Sequence, residues 1–146
     1  MYYQETYKDL FSINNNEYVL AHCISMDCAL GAGIAKQFTV KYPELRSFLK
    51  LQTIGIGDAV LYQDNNTNDI VINLVTKAKY FHKPTLLSLT CAIYNMKSLV
   101  IEHGIKKIGM PLIGCGLDRL DWTSVSIVLK DAFKDTDVEL LICIKE

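Results

Sequence analysis

Two glycine pairs, Gly31-Ala-Gly33 and Gly114-Cys-Gly116, are the segments of this chain best suited to hold an anion. Each pair follows a short apolar run that is typical of a buried strand and precedes a stretch that is typical of a helix. Glycine lacks a Cβ atom, so such a loop can turn sharply and bring its backbone N–H groups close to a phosphate. Each pair could instead serve only as a tight turn between strand and helix. Because two pairs occur in equivalent places, the sequence favours a phosphate-bearing ligand.

A lysine and an aspartate could carry covalent chemistry beside these loops. Lys77 follows the strand-like run Ile70–Val75, and Asp118 lies two residues beyond Gly116. An amine held near a sugar can attack an electrophilic carbon, and a carboxylate beside it can act as a general acid or base. Taken singly, Lys77 could be a solvated surface residue and Asp118 could cap a turn. Together they predict a reaction at the glycosidic carbon of a sugar diphosphate.

Other reactive side chains support weaker interpretations. Cys115 could act as a thiol nucleophile, but a small residue in a tight loop is the simpler explanation. His22, Cys23 and Cys28 could be counted as metal ligands. Since neighbours on a strand point to opposite faces, His22 and Cys23 cannot easily share a site, and no metal is predicted. Together with Lys77, the basic and aromatic segment Lys79–Lys83 suits single-stranded nucleic acid, although a solvated loop over the cleft is the simpler interpretation.

The length and amino-acid composition predict one globular domain over residues 1–146, since half of the residues are apolar and 21% are charged. Fifteen basic and sixteen acidic residues give a net charge of −1, which argues against non-specific nucleic-acid binding. No apolar run approaches a membrane span, and no standard nucleotide motif occurs: the third glycine of a dinucleotide fingerprint would fall at Lys36 or Arg119. An odd number of cysteines without a CxxC motif indicates reduced thiols. We expect an intracellular monomer, cytoplasmic or nuclear, without a cofactor.

The hydrophobic pattern predicts about six strands and four helices. The strands are expected at Tyr2–Tyr7, Tyr18–Ile24, Asp58–Tyr62, Ile70–Val75, Ile105–Met110 and Val138–Ile144. The helices are expected from Gly31 to before Pro43, over Pro43–Leu51, from Pro84 at the first helical position to before Gly104, and after an Asp121 N-cap. This order predicts an α/β fold with a mixed sheet and helices on both faces.

Several blocks of this sequence together resemble a macrodomain. They are Ala21–Ser25, Gly31–Ala35, Thr76-Lys77 with His82–Thr85, and Ile113–Leu120 with Trp122, spread in order across nearly the whole chain. They are most similar to the terminal ADP-ribose protein glycohydrolase branch of that family. Other hydrolytic macrodomains carry asparagines in the segment that here reads His22–Ser25.

The resemblance implies a three-layer α/β/α fold with a cleft for ADP-ribose. Lys77 would attack C1″ of the distal ribose, expel the protein carboxylate and leave a lysyl–ADP-ribose adduct, while Asp118 would assist ring chemistry and release. The residues that the resemblance places against the ligand are Asp9 at the adenine with Leu10, Ser25, then Gly31, Ala32, Gly33 and Ile34 along the diphosphate and distal ribose, and Ile113, Gly114, Cys115, Gly116 and Leu117 around the phosphates.

The activity implied is removal of ADP-ribose from acidic side chains of modified proteins, with cleavage of O-acyl-ADP-ribose as an extension. Two alternatives stay open: a non-catalytic ADP-ribose reader, and an antitoxin-type enzyme that removes ADP-ribose from DNA. Two positions depart from the family pattern. Leu112 stands where the best-known relative has arginine, and Lys145 stands where an apolar residue is expected. Both departures affect the expected ligand affinity, not the expected fold.

Overall fold

A computed structural model describes residues 1–14, 16–116 and 119–145. Among these residues the strands are β1 (Tyr2–Tyr7), β2 (Val19–Ser25), β3 (Ala59–Gln63), β4 (Ile70–Lys77), β5 (Lys107–Met110) and β6 (Glu139–Ile144). The helices are α1 (Gly33–Lys41), α2 (Leu45–Lys50), α3 (Leu86–Glu102) and α4 (Trp122–Phe133), with a short 3-10 helix at Leu10–Ser12. None of these helices is long and apolar enough to cross a membrane.

The strands form one six-stranded mixed sheet in the order β1-β6-β5-β2-β4-β3. Strand β3 pairs antiparallel with β4, and the other neighbouring strands are parallel. The β3–β4 pair is a hairpin, and its turn includes Asn68 at φ +65°, a conformation that asparagine tolerates better than most residues. The predicted α/β class with a mixed sheet is therefore confirmed.

Helices cover both faces of the sheet, which gives the three layers expected. Strand β2 shows how alternation produces them, because Ala21 packs against α3 and α4 while Leu20 and Ile24 pack against α1 and α2. The first face holds the buried side chains Leu89, Ile93 and Met96 of α3 and Val125, Leu129 and Phe133 of α4. The second face holds Phe38 of α1 and Leu45 and Leu49 of α2.

Three helices begin later in the chain than the sequence predicts. Pro84 is not the first residue of α3, because Thr85 is the N-cap and its side chain accepts a hydrogen bond from the Ser88 backbone N–H at 3.0 Å. Likewise α1 begins at Gly33 rather than at Gly31, and α2 begins after Pro43 and Glu44. In α2 and α3 the proline therefore lies directly before the N-cap residue and not at the first helical position.

Two predicted helix ends are confirmed. Asp121 is the N-cap of α4 and accepts a hydrogen bond from the Ser124 backbone N–H at 3.4 Å. Gly104 follows α3 with φ +64°, a conformation that glycine adopts without steric cost. Strand β5 starts at Lys107, two residues later than predicted.

The topology opens a crevice between β2 and β5. After β2 the chain continues into α1 on one face of the sheet, whereas after β5 it continues into α4 on the other face. In open α/β sheets, ligands bind where neighbouring strands lead to opposite faces, outside their carboxyl ends. Both predicted glycine loops flank this crevice.

Candidate functional site

A cleft of about 710 Å³ lies at the carboxyl ends of the parallel strands. Segments that follow β1, β2, β4, β5 and β6 all contribute to its wall. The predicted site residues that line it are Asp9, Leu10, Ser25, Gly31, Ala32, Gly33, Ile34, Lys77, Ile113, Gly114, Cys115 and Gly116. Leu117 and Asp118, which the sequence also predicts at the site, lie outside the described residues. The fold thus brings twelve predicted residues to one cavity, while their roles stay predictions.

The first glycine loop reaches α1 through a segment with unusual backbone angles. Cys28 and Leu30 have φ values of +54° and +44°. Residues other than glycine adopt such backbone angles at a cost of about 1 kcal/mol each. Gly33 has φ +59° and is the first residue of the helix. The Leu30 carbonyl accepts a hydrogen bond from Arg46 Nη2 at 3.1 Å, which fixes the loop to α2. A loop held in this way is preorganised for binding, because its conformation does not have to form on contact.

The second glycine loop contains two glycines with different constraints. Gly114 has φ +74°, and a Cβ atom there would lie 2.9 Å from Leu89 Cδ2 and 3.0 Å from Leu120 Cδ1. The loop closes with a hydrogen bond of 2.7 Å from the Leu120 N–H to the Gly114 carbonyl. A Cβ atom at Gly116 would meet no atom of the described residues within 4 Å. Gly114 is therefore needed for packing, whereas Gly116 leaves open space beside the cleft.

Lys77 is the last residue of β4 and is partly buried in the cleft wall. It pairs in register with Ser25, beside a bulge between Ile24 and Ser25 of β2. The strand pairing therefore holds the amine-bearing residue next to the start of the first glycine loop. Its predicted partner Asp118 is not described, so the pairing of these two side chains stays a prediction.

Asp27 is a central residue that sequence reasoning missed. Its Oδ1 accepts hydrogen bonds from the Ser25 hydroxyl and, at 3.3 Å, from the Ala29 N–H, and its Oδ2 accepts from the Tyr80 N–H at 3.1 Å. Partial desolvation acts to raise the pKa of Asp27, but these hydrogen bonds outweigh it and lower the pKa. The only signal in the sequence was an aspartate two residues before a small residue, which is common in turns.

At the opposite end of the cleft, Asp9 follows β1 and caps the 3-10 helix. Its Oδ1 accepts a hydrogen bond from the Phe11 N–H at 3.2 Å, and the neighbouring Leu10 is buried. Lys8 and Lys145, at the ends of the paired strands β1 and β6, line the same part of the cleft. The side chain of Leu112 also lines the cleft. Both positions that depart from the expected family pattern, Leu112 and Lys145, therefore line the cleft.

The segment Lys79–Lys83 forms a rim on the cleft. Tyr80 and Phe81 are 66% and 69% exposed, and their ring centroids lie 5.3 Å apart in an edge-to-face arrangement. Phe81 also contacts the His82 ring at 4.7 Å. Large aromatic side chains exposed beside a cavity provide a surface on which planar or apolar groups can pack.

His22 is not a ligand-binding residue but part of the core. It is fully buried, stacks on Phe38 at a centroid distance of 3.9 Å and lies 2.6 Å, Nε2 to Oδ1, from Asn73. Because the Asn73 amide nitrogen donates to the Val60 carbonyl, its Oδ1 must accept, and the imidazole carries its proton on Nε2. Burial lowers the pKa of His22 to about 4, although the bond to Asn73 acts in the opposite direction.

The thiols give no further site. None of the five cysteines, all of which lie in the described part of the chain, forms a disulfide bond, and Cys23, Cys115 and Cys143 line the cleft. Burial raises the pKa of the Cys143 thiol, which disfavours the nucleophilic thiolate. Among residues 1–14, 16–116 and 119–145, no group of three or more His, Cys, Asp or Glu side chains could hold a metal ion.

Comparison with known proteins gives consistent matches. The Macro domain family model matches residues 19–129 of this chain. ADP-ribose glycohydrolase OARD1 from Homo sapiens is 39% identical over 134 residues, which cover 92% of this chain and 86% of the relative. DNA ADP-ribosyl glycohydrolase from Mycobacterium tuberculosis is 27% identical over 131 residues, 84% of this chain but 37% of that protein. The solved macrodomain of Mycobacterium tuberculosis DarG superposes with a TM-score of 0.85 at 24% identity and covers 98% of both chains.

Proposed function

Because this chain belongs to the Macro domain family, we propose that it releases ADP-ribose from acidic side chains of ADP-ribosylated proteins. The names of its relatives support an ADP-ribosyl hydrolase activity. The observation that carries the finer proposal is the position of Lys77, which ends β4 in register with Ser25 and lines the same cleft as both glycine loops. The same active site would accept O-acyl-ADP-ribose, whose ester is chemically similar.

The proposed mechanism uses the residues of this chain in fixed roles. The two glycine loops hold the diphosphate through backbone N–H groups, and Asp9 recognises the adenine at the far end of the cleft. The Lys77 amine attacks C1″ of the distal ribose, the bond from C1″ to the carboxylate oxygen breaks, and the carboxylate leaves with its electron pair. The amine loses its proton to solvent, and Asp118 then assists ring chemistry and hydrolysis of the lysyl adduct by water, which restores Lys77 and frees ADP-ribose.

A non-catalytic reader would need the glycine loops but not an amine at position 77. Arginine keeps the positive charge but cannot be deprotonated to become a nucleophile. Lys77→Arg therefore separates a charge contact from covalent catalysis: we expect ADP-ribose affinity to stay within about threefold, while turnover falls by about a hundredfold or more. Isothermal calorimetry measures the first quantity, and release of ADP-ribose from a glutamate-modified protein measures the second.

Lys77→Ala and Asp118→Ala should each reduce ADP-ribose release to background, and Asp118→Ala should accumulate an adduct on the peptide that contains Lys77, visible by mass spectrometry. Lys106→Ala is the matched control, because Lys106 lies outside the cleft and pairs with Asp137 at 3.1 Å. Full activity in both cleft variants would exclude this mechanism, and full activity with intact binding in Lys77→Arg would exclude lysine as the nucleophile.

A second candidate substrate is ADP-ribosylated DNA. The observation in its favour is the rim Lys79–Lys83, where two exposed aromatic rings lie between lysines beside the cleft, an arrangement that can stack bases of a single strand. The net charge of −1 argues against broad nucleic-acid binding. Incubation of the protein with modified protein and modified single-stranded DNA at equal concentrations, followed by measurement of free ADP-ribose, decides between the two substrates.

A further inference from the structure

We infer that Asp27 is the positioning residue of this site: it holds the first glycine loop and the segment after Lys77 in register with each other. This inference deepens the proposed function and rests on it where turnover is concerned. Asp27 does not line the cleft, so it acts through other residues rather than on the ligand. Its carboxylate accepts three hydrogen bonds from two segments that are distant in sequence, since Tyr80 lies 53 residues beyond it.

The first two of these bonds organise the glycine-loop side. The Ser25 hydroxyl donates its only proton to Asp27 Oδ1, so toward the cleft Ser25 presents an acceptor. An acceptor at this place suits a ligand hydroxyl and disfavours a phosphate oxygen. The Ala29 N–H bond to the same oxygen closes a turn around Cys28, one of the two residues held at positive φ. The carboxylate thereby maintains the strained approach to Gly31.

The third bond organises the lysine side. Beyond the paired residues Ser25 and Lys77, the Met26 N–H donates to the Lys77 carbonyl at 2.8 Å, and the Asp27 N–H donates to the Ala78 carbonyl at 3.2 Å. Asp27 Oδ2 then accepts from the Tyr80 N–H at 3.1 Å, which extends the connection to the rim. The segment that carries Lys77 is therefore attached to the glycine-loop segment on both sides of Ala78.

An isosteric change tests this role. An asparagine has one acceptor oxygen where the aspartate has two, so Asp27→Asn must present an amide N–H₂ group to one of the two segments. We expect the Kd for ADP-ribose to rise about tenfold, the loss of one hydrogen bond to a charged group, and kcat to fall by a similar factor. Asp27→Glu, which restores the carboxylate on a longer side chain, should recover part of both.

Asp64→Asn is the matched control. The Asp64 carboxylate also accepts several hydrogen bonds, from the Tyr62 hydroxyl at 2.8 Å and from the Asn66 and Thr67 N–H groups at 3.1 and 3.0 Å. It lies in the β3–β4 turn, at the other end of β4 from Lys77. Asp64→Asn should lower Tm and leave Kd and kcat unchanged. If Asp27→Asn behaves like Asp64→Asn, with a lower Tm and unchanged Kd and kcat, Asp27 is only structural and the inference is wrong.

The Tyr80 N–H can be removed by itself. Tyr80 is the second residue of the turn closed by the His82 N–H and the Lys79 carbonyl at 3.0 Å, the position at which proline is favoured. Tyr80→Pro deletes the N–H and the ring, and Tyr80→Ala deletes the ring alone. Relative to Tyr80→Ala, we expect Tyr80→Pro to lower kcat about fivefold and to change the Kd for ADP-ribose less than twofold, because Ser25 and Ala29 still hold the glycine loop.

A double-mutant cycle completes the test. If the Asp27–Tyr80 bond carries the effect on kcat, exchanging Tyr80→Ala for Tyr80→Pro should cost nothing further in an Asp27→Ala background, in which no acceptor for the Tyr80 N–H remains at position 27. If the effects of the two substitutions on kcat are fully additive, the Asp27–Tyr80 hydrogen bond does not carry them, and the inference is wrong for the segment after Lys77. Should the wild type release no ADP-ribose from any substrate, the hydrolase proposal fails. Amide hydrogen exchange of residues 26–34 and 78–83 in the free protein then decides the inference: faster exchange in both segments of Asp27→Asn supports it, and unchanged exchange overturns it.

Discussion

At the scale of single residues, the two glycines of the second loop show that the same residue type can be under different structural constraints two positions apart. Gly114 combines a positive φ with close neighbours on two sides, whereas Gly116 has no positive φ and no close neighbour in the part of the chain that the structure describes. The sequence predicts both as ligand-binding on the ground that glycine permits close approach. The structure adds that Gly114 is fixed by the core through Leu89 and Leu120. No described residue constrains Gly116 in this way.

Alanine substitutions separate these constraints. In Gly114→Ala the methyl group is strained by φ +74° and collides with Leu89, so we expect a loss of about 2–4 kcal/mol in the free energy of unfolding. Gly116→Ala should change the free energy of unfolding by less than about 0.5 kcal/mol. We expect it to weaken ADP-ribose binding, because the methyl group would enter the space proposed for the ligand. Urea denaturation measures stability, and calorimetry measures binding. Equal stability losses in the two variants would contradict this account.

At the scale of secondary structure elements, the start of α3 is attached to the end of β4. The cap of α3 is a capping box in which Thr85 and Ser88 exchange side-chain and backbone hydrogen bonds. The Ser88 hydroxyl also donates to the Thr76 carbonyl at 2.7 Å, one residue before Lys77. The helix N-terminus therefore supports the strand end that carries the proposed nucleophile, which the position of Pro84 in the sequence did not indicate.

Thr85→Ala removes the acceptor of this cap, and we expect it to lower the free energy of unfolding by about 1 kcal/mol. Thr90→Ala is the control, because Thr90 lies within α3 and its hydroxyl donates only to the Leu86 carbonyl. Alanine is a better helix former than threonine there, so this variant should be neutral or slightly more stable. Thermal unfolding of both variants measures the change in Tm. An equal decrease in Tm in the two variants would assign the effect to lost side-chain volume instead of the cap.

At the scale of the whole molecule, one buried histidine makes stability depend on pH. His22 is neutral in the folded protein because burial lowers its pKa to about 4, whereas in the unfolded chain it titrates near its ordinary value of 6.5. Between these two pH values the unfolded state binds more protons. Stability is therefore complete above about pH 6.5 and decreases as the pH falls toward 4, by about 3 kcal/mol.

Urea unfolding of the wild type at pH 7, 6 and 5 should show this decrease. His22→Leu removes the titrating group, so its stability should depend less on pH over the same range, even though the variant is less stable at pH 7. His82 and His103 are exposed and stay present in both proteins, so they do not affect the comparison. A wild-type stability that is constant from pH 7 to 5 would show that the imidazole is not held neutral.

Local patterns in the sequence determined the strands, the helices and the glycine loops. Alternating or continuous apolar runs, caps and glycine pairs act over a few residues, and the macrodomain blocks added the three-layer fold and the expected ligand. Helix starts were less well predicted, as at Pro84, because a cap depends on which side chain closes the first turn.

The tertiary structure alone decided which residues act together. Residues as distant in sequence as Asp9, Ser25, Lys77 and Gly114 reach one cleft because β1, β2, β4 and β5 are parallel and end at the same edge of the sheet. Asp27 gave no signal by itself, since its partner Tyr80 is brought to it by the pairing of β2 with β4. A sequence pattern reports what neighbours in the chain can do, whereas a hydrogen bond across 53 residues exists only once the strands have paired.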